Sequence, residues 1–285
     1  MTEIRLRPPV TLRDLEKALR EHATESDNVV SSCAHRDGRD YLNRYLGWVN
    51  WTWRALDSRL DRTQLEQLLH TRHYWTLRQM DGSEPRLTSL IKIELNARRD
   101  TLVELADEAR ALCRRWNFAS GVIVVPDTNV LLHATEYFDD LDWPTALGIP
   151  ATIHLVLTMV VIDEIDKLKR SRQPVRTRAR QTANKIESLL GDIPSDRVVL
   201  RGDGRKETTV EVLTDPLDHQ RLTDSDSEIV DRAAYLRDLT TVPVYVATWD
   251  NLMRFRASVT GLDVVKPRPE YELQDEPADS HRNRG

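Results

Sequence analysis

Up to about residue 116 the apolar residues of this chain recur every three or four positions; beyond residue 121 they gather into short runs. The first spacing is that of amphipathic helices. Thr11–Glu25 carries Leu12, Leu15 and Leu19 in that register and predicts a helix, whereas the polar stretch Ser26–Arg39 predicts a loop. Tyr41–Leu60 and Gln64–Leu77 predict two further helices, and Gln79–Glu84 a turn around Gly82. From Pro85 the register lengthens: Ile91, Leu95, Arg98, Leu102, Leu105, Ala109 and Leu112 form one seam of a long helix, broken only by Arg98. Residues 1–116 thus read as an all-helical N-terminal domain, and 117–120 as a hinge.

The second half has the other rhythm. Val122–Val125 is a β-branched run stopped by Pro126, the signature of a strand buried on both faces of a parallel sheet. Ile153–Thr158, Val198–Leu200, Val210–Leu213, Val244–Thr248 and Val264–Val265 predict the other strands. Val130–Tyr137, Met159–Lys169, Arg176–Leu190, Asp226–Asp238 and Asn251–Val259 predict helices, and 138–151, with Pro144, Gly148 and Pro150, a loop. Strands alternating with helices imply an α/β fold, a parallel sheet flanked by helices, over residues 121–266. Residues 267–285, rich in Pro, Asp, Glu and Arg, predict a disordered tail.

Composition narrows the class. The 285 residues include 40% hydrophobic and 31% charged side chains, as in soluble globular proteins. No run of about 18 apolar residues predicts a membrane span, and MTEIRLRPPV lacks the apolar core of a signal peptide. With only Cys33 and Cys113, no disulfide framework is implied, and a reducing, cytoplasmic setting is expected. The net charge of −5 is uneven: residues 1–120 sum to +2 and residues 121–285 to −7. An acidic half does not suit a general nucleic-acid binder, but it suits a site that gathers carboxylates.

Four acids stand where such a site would form. Asp127 directly follows the first strand, at the strand ends where open α/β sheets keep their ligands. Asp250 follows a later strand in VYVATWDN. Glu164 lies in the helix TMVVIDEIDKLK, beside the stripe of Val161, Ile165 and Leu168. Asp226 falls in the first turn of a helix where Ser225 and Glu228 form a capping-box pattern. Any one of these could be a turn former or a cap, but four coincident placements are poorly explained that way. Carboxylates so gathered repel one another unless a cation compensates them. Mg²⁺ and Mn²⁺ prefer oxygen ligands and can activate water for attack at phosphorus, singly or in pairs.

PDTNVLL, VVIDEIDKLK, DSDSEIVDRA and VATWDNLMRFRA, in this order and spacing, resemble the PIN-domain ribonucleases over about residues 121–266, and within them the variety with a Glu in a helix reading DEIDKLK. The resemblance implies a PIN-like fold and an acidic metal-binding and catalytic set of Asp127, Glu164, Asp226 and Asp250. It implies supporting roles for Asn129 and Thr248. In the third motif Asp224 and Asp226 compete; Asp226 is favoured by its D-x-x-I interval to Ile229. The resemblance does not extend to residues 1–116.

Lys167–Lys185 holds eight Lys or Arg and no acid. A solvated helix face is the plain reading. In an otherwise acidic half, the block reads instead as a phosphate-tracking strip of Lys167, Lys169, Arg170, Arg172, Arg176, Arg178 and Arg180. Trp48, Trp51, Trp53 and Trp75 read as helical core, not as a base platform. His70 and His73 lack partners for a zinc set, Cys33 and His35 are isolated, and GDG at 202–204 reads as a turn.

The leading expectation is a metal-dependent endoribonuclease acting on single-stranded RNA, the RNA preference resting on the resemblance. The alternatives are a non-catalytic RNA- or protein-binding module, and the toxin ribonuclease of a toxin–antitoxin pair with a protein inhibitor. The long seam from Ile91 to Leu112 can pack within its own domain or against a second copy; its length, and a resemblance to a family in which oligomers are common, favour a homodimer.

Overall fold

The computed structural model describes residues 3–32, 37–191, 197–201, 207–216 and 219–273. The sequence readings of Cys33, His35, the turn at 202–204 and the tail beyond residue 273 lie outside the described residues. The chain divides into two compact units. One comprises Met1–Asn117 with Pro216–Asp218 and Asp238–Thr241; the other comprises Phe118–Asp215, His219–Arg237 and Val242–Gly285. No helix among the described residues is long and apolar enough to cross a membrane.

The first unit contains α1 (Leu12–Ser32), α2 (Gly38–Leu56), α3 (Arg62–Leu69), α4 (Arg72–Arg78) and α5 (Leu87–Arg115). α5 packs along α1 and against α2, burying Ile91, Leu95, Leu102 and Ala109 of the expected seam. Arg98 interrupts that seam without leaving a stranded charge. Its guanidinium lies 3.2 Å from the buried Glu94 and donates to the Leu68 carbonyl at 2.8 Å.

Three expectations are corrected in this unit. α1 continues through Ser32, because Ser26–Ser32 contains no Gly or Pro and a helix needs only one covered face. The single helix expected over 64–77 is two: His70 ends α3, and the Thr71 hydroxyl caps α4 by accepting from the Tyr74 N–H at 3.1 Å. Of the tryptophans, Trp48 is core and donates to the His22 carbonyl, whereas Trp51 and Trp75 are exposed.

The second unit is built on six strands: β1 (Val122–Pro126), β2 (Ile153–Thr158), β3 (Val198–Arg201), β4 (Thr208–Leu213), β5 (Val244–Ala247) and β6 (Asp263–Val265). Their order is β3-β4-β2-β1-β5-β6, parallel except for β3 against β4. β1 is central and buried along its whole length, as its unbroken apolar run requires. Val124 pairs with Leu155 of β2 on one side and Tyr245 of β5 on the other. The chain fills one side of β1 with β2 to β4 and then crosses to lay down β5 and β6. The C-terminal end of β1 is therefore the switch point of the sheet, where open α/β sheets form a crevice.

The helices of this unit are α6 (Thr128–His133), α7 (Trp143–Leu147), α8 (Met159–Leu168), α9 (Val175–Leu190), α10 (Ser225–Leu239) and α11 (Asn251–Val259). This is the α/β architecture expected from the sequence. Two local differences follow from misread punctuation. Within 138–151, Asp142 caps α7, Pro144 occupies its first turn, and Gly148 ends it at φ +67. Residues 267–273, expected to be disordered, form a 3₁₀ turn at Pro269–Tyr271 and pair with α6's exit. There the Leu273 N–H donates to the His133 carbonyl at 2.7 Å and the Thr135 N–H to Tyr271 at 2.8 Å.

Candidate functional site

Asp127 directly follows β1 and caps α6. Its Oδ1 accepts the Val130 N–H at 2.7 Å, and its Oδ2 accepts the hydroxyl of Thr248. Thr248, fully buried beyond β5, also accepts the Asp250 N–H at 2.9 Å. One hydroxyl thus ties the carboxylate after β1 to the backbone that carries the carboxylate after β5. Asp250 in turn caps α11 through the Leu252 N–H at 2.6 Å. Glu164 reaches in from α8 and accepts the Thr128 hydroxyl. Asp226 is the second residue of α10.

These elements bring Asp127, Glu164, Asp226 and Asp250 to the wall of one cavity of about 270 Å³. Asn129 and Lys167 line it too, and Leu168 and Ile229 supply apolar wall. Thr248 lies behind Asp127 rather than in the wall. Asp224 points away: its carboxylate accepts the Ser227 N–H and hydroxyl at 2.9 and 2.6 Å, and it pairs with Arg256. Asp224, not Ser225, is therefore the cap of α10. This corrects the capping-box reading, since Glu228 turns instead to His219 and the Leu222 N–H.

The electrostatics separate the two competing acids. Hydrogen bonds from Ser227 hold the Asp224 carboxyl below the usual range. Burial pushes Asp226 up, and the charges of Asp224, Asp250 and Glu164 add to it against Arg256. Asp127 is pushed up to about 6, chiefly by burial, with the charges of Asp226 and Asp250 adding and the bonds from Thr248 and Val130 opposing. The cavity acids thus feel one another.

An all-oxygen donor set of mutually repelling carboxylates fits a hard divalent cation and does not fit a thiophilic one. Among the described residues, the trio of candidate ligand atoms that closes to within 4.8 Å lies elsewhere, at Asp215, His219 and Glu228. The wider spacing of the cavity acids suits cations that retain waters. The tight trio suits a cation poorly: Arg221 bonds Asp215 at 2.5 Å, and Arg232 lies 3.4 Å from His219 Nδ1. Positive charge already occupies that place, and the network fastens the approach to α10.

The basic stretch is divided. Lys167 faces the cavity, and Arg170, Arg172 and Arg180 are exposed. Arg176 is half-buried, and Lys169 pairs with Asp166 at 2.6 Å. Arg178 turns inward, donating to the Ala134 carbonyl at 2.7 Å and to Glu136, with its guanidinium 3.7 Å from the Tyr137 ring centre. Its position is that of a structural tie, not of an outward phosphate contact. Thr128 and Arg256 escaped the sequence reading. Thr128 carried a signal, standing between Asp127 and Asn129, but Arg256 carried none until α10 and α11 were placed side by side.

The family model described as PIN domain matches residues 124–268. Among solved structures, the PIN domain endonuclease Utp24 is similar at 19% identity, over 54% of this chain and 96% of that chain, with a TM-score of 0.30. No curated protein matches the sequence.

Proposed function

The chain belongs to the PIN-domain family, and we propose that it is a metal-dependent endoribonuclease that cleaves single-stranded RNA. The observation that carries this reading is the convergence of four carboxylates from four elements on one cavity at the switch point of the sheet. Residues 121–266 are taken as the nuclease domain and 1–116 as a helical companion.

Asp127, Asp226 and Asp250 are the ligands in this reading. A bound Mg²⁺ or Mn²⁺ supplies Lewis acidity for attack of water on a phosphodiester. Val130 and Thr248 fix the Asp127 rotamer, so the carboxylate is oriented before any ion arrives. Glu164, held on one oxygen by Thr128, has its other oxygen to position water and accept its proton. Lys167 faces the same space and holds a phosphate oxygen. Arg170, Arg172 and Arg180 extend positive charge outward along the substrate backbone.

The test is cleavage of a circular single-stranded RNA and its DNA counterpart with Mn²⁺, Mg²⁺ or EDTA. The reading expects metal-dependent opening of the RNA circle, which only an endonuclease can perform. Binding of RNA without cleavage, unchanged by Asp127→Asn, would favour a non-catalytic module instead.

A further inference from the structure

A second concavity lies along α11, the helix that Asp250 of the acidic cavity caps. Asn251, Arg254, Phe255 and Ser258 of α11 face Asp263 and Val264 of the edge strand β6 across a cavity of about 420 Å³. Phe255 is 72% exposed, more than any other Phe or Trp among the described residues. A ring exposed to water at that level leaves most of its surface uncovered by its own unit. Around it stand an amide, a guanidinium, a hydroxyl and a carboxylate. The Arg254 guanidinium donates to Asn251 Oδ1 at 3.2 Å and has no acidic partner among the described residues. A ring face bordered by hydrogen-bonding groups of both kinds, with one uncompensated cation, matches an unstacked nucleobase and its phosphate.

Continuity with the acidic cavity strengthens the match. Asp250 lines that cavity, and Asn251, the next residue, lines the groove. A strand with one phosphate in the acidic cavity presents a neighbouring base to the groove. Leu252 and Val259 are also exposed on α11, and with Phe255 they are spaced as the anchors of a helix that docks on a protein. Neither lines the groove, however, and the groove is polar except for Phe255, Leu262 and Val264.

We propose that the groove between α11 and β6 is a nucleobase subsite beside the cleaved phosphodiester. The base stacks on Phe255, its edge faces Asn251 and Asp263, and a phosphate faces Arg254. The exposed Asp263 carboxylate accepts amino hydrogens, so the subsite prefers bases that carry an amino group over uracil. The proposal rests on the nuclease reading of the acidic cavity.

The test measures binding of the full chain to oligo-C, oligo-A and oligo-U single strands in EDTA, and KM against kcat with metal. Phe255→Ala should weaken binding roughly tenfold, the order of a lost stacked base, and raise KM with kcat little changed. Phe255→Trp should restore both, Asp263→Asn should narrow the preference over oligo-U, and Val259→Ala should change neither. If the wild type cleaves RNA while Phe255→Ala keeps its affinity and KM, the subsite is overturned and the nuclease reading stands. If binding depends on Phe255 but no strand is cut, the subsite stands and the nuclease reading fails. Self-association lost in Phe255→Ala, with RNA affinity unchanged, would overturn the subsite in favour of a second copy of the chain.

Discussion

Asp127 concentrates the physical cost of the site. Its folded value of about 6 lies above the ordinary carboxyl value of 3.8, so the metal-free native state holds a proton that the unfolded chain releases. Stability from this group is complete at low pH and is lost as pH rises from about 4 through about 6, with a ceiling of about 3 kcal/mol. Asparagine keeps the size and the acceptor for Val130 without the buried charge. In EDTA, Asp127→Asn should therefore melt close to wild type at pH 4.5 and above it at pH 7. Added Mn²⁺ should raise the wild-type midpoint and leave the variant's unchanged. Equal melting at both pH values would remove the buried-charge argument. The positions of the four cavity acids were legible in the sequence because each is fixed by the strand end or helix turn beside it. The choice between Asp224 and Asp226 needed side-chain geometry, since both lie within one turn and only their partners distinguish them.

At the level of elements, the basic stretch around α9 separates into outward and inward side chains that its composition could not separate. Arg172 and Arg180 are exposed, whereas Arg178 fastens the chain after α6. Removing Arg172 and Arg180 together should lower the slope of log affinity against log salt by about 1.4, from roughly 0.7 per phosphate contact on a single strand. Arg178→Ala should leave that slope unchanged and cost about 1–2 kcal/mol in urea denaturation, from its lost bonds to carbonyls. The reverse pattern would return Arg178 to the phosphate strip. Most elements were legible because their apolar periods are long. α7 was not, since its five residues are too few for a helical period to recur, and its Pro and Gly signal a helix start and stop as readily as a loop. The break between α3 and α4 depends on the Thr71 cap, which the apolar register carries straight through.

For the whole molecule, periodicity announced a parallel sheet but not its order, because neighbouring strands are chosen by crossovers rather than by their own composition. The order matters here: it puts β1 at the switch point with β2 and β5 on either side. The helical unit shows the opposite balance. Its long seam was legible, but the sequence could not say what covers it, and the structure lays α1 along it. α1 is thus one partner of the seam. Leu102→Ala should accordingly destabilise the unit by about 2–5 kcal/mol, measured by denaturation at several protein concentrations. A midpoint that moves with concentration would support the homodimer instead.

The central claim is that four carboxylates, one after β1, one each on α8 and α10 and one capping α11, act as one hydrolytic site. Cleavage of a labelled single-stranded RNA with Mn²⁺ should be compared for the wild type and Asp127→Asn, Glu164→Gln, Asp226→Asn and Asp250→Asn, each first shown to fold by its melting curve. The account predicts losses of at least about a hundredfold in all four, the order expected for groups acting in one catalytic unit, and near-normal cleavage by Asp224→Asn. Full activity in any two of the four folded variants would contradict it.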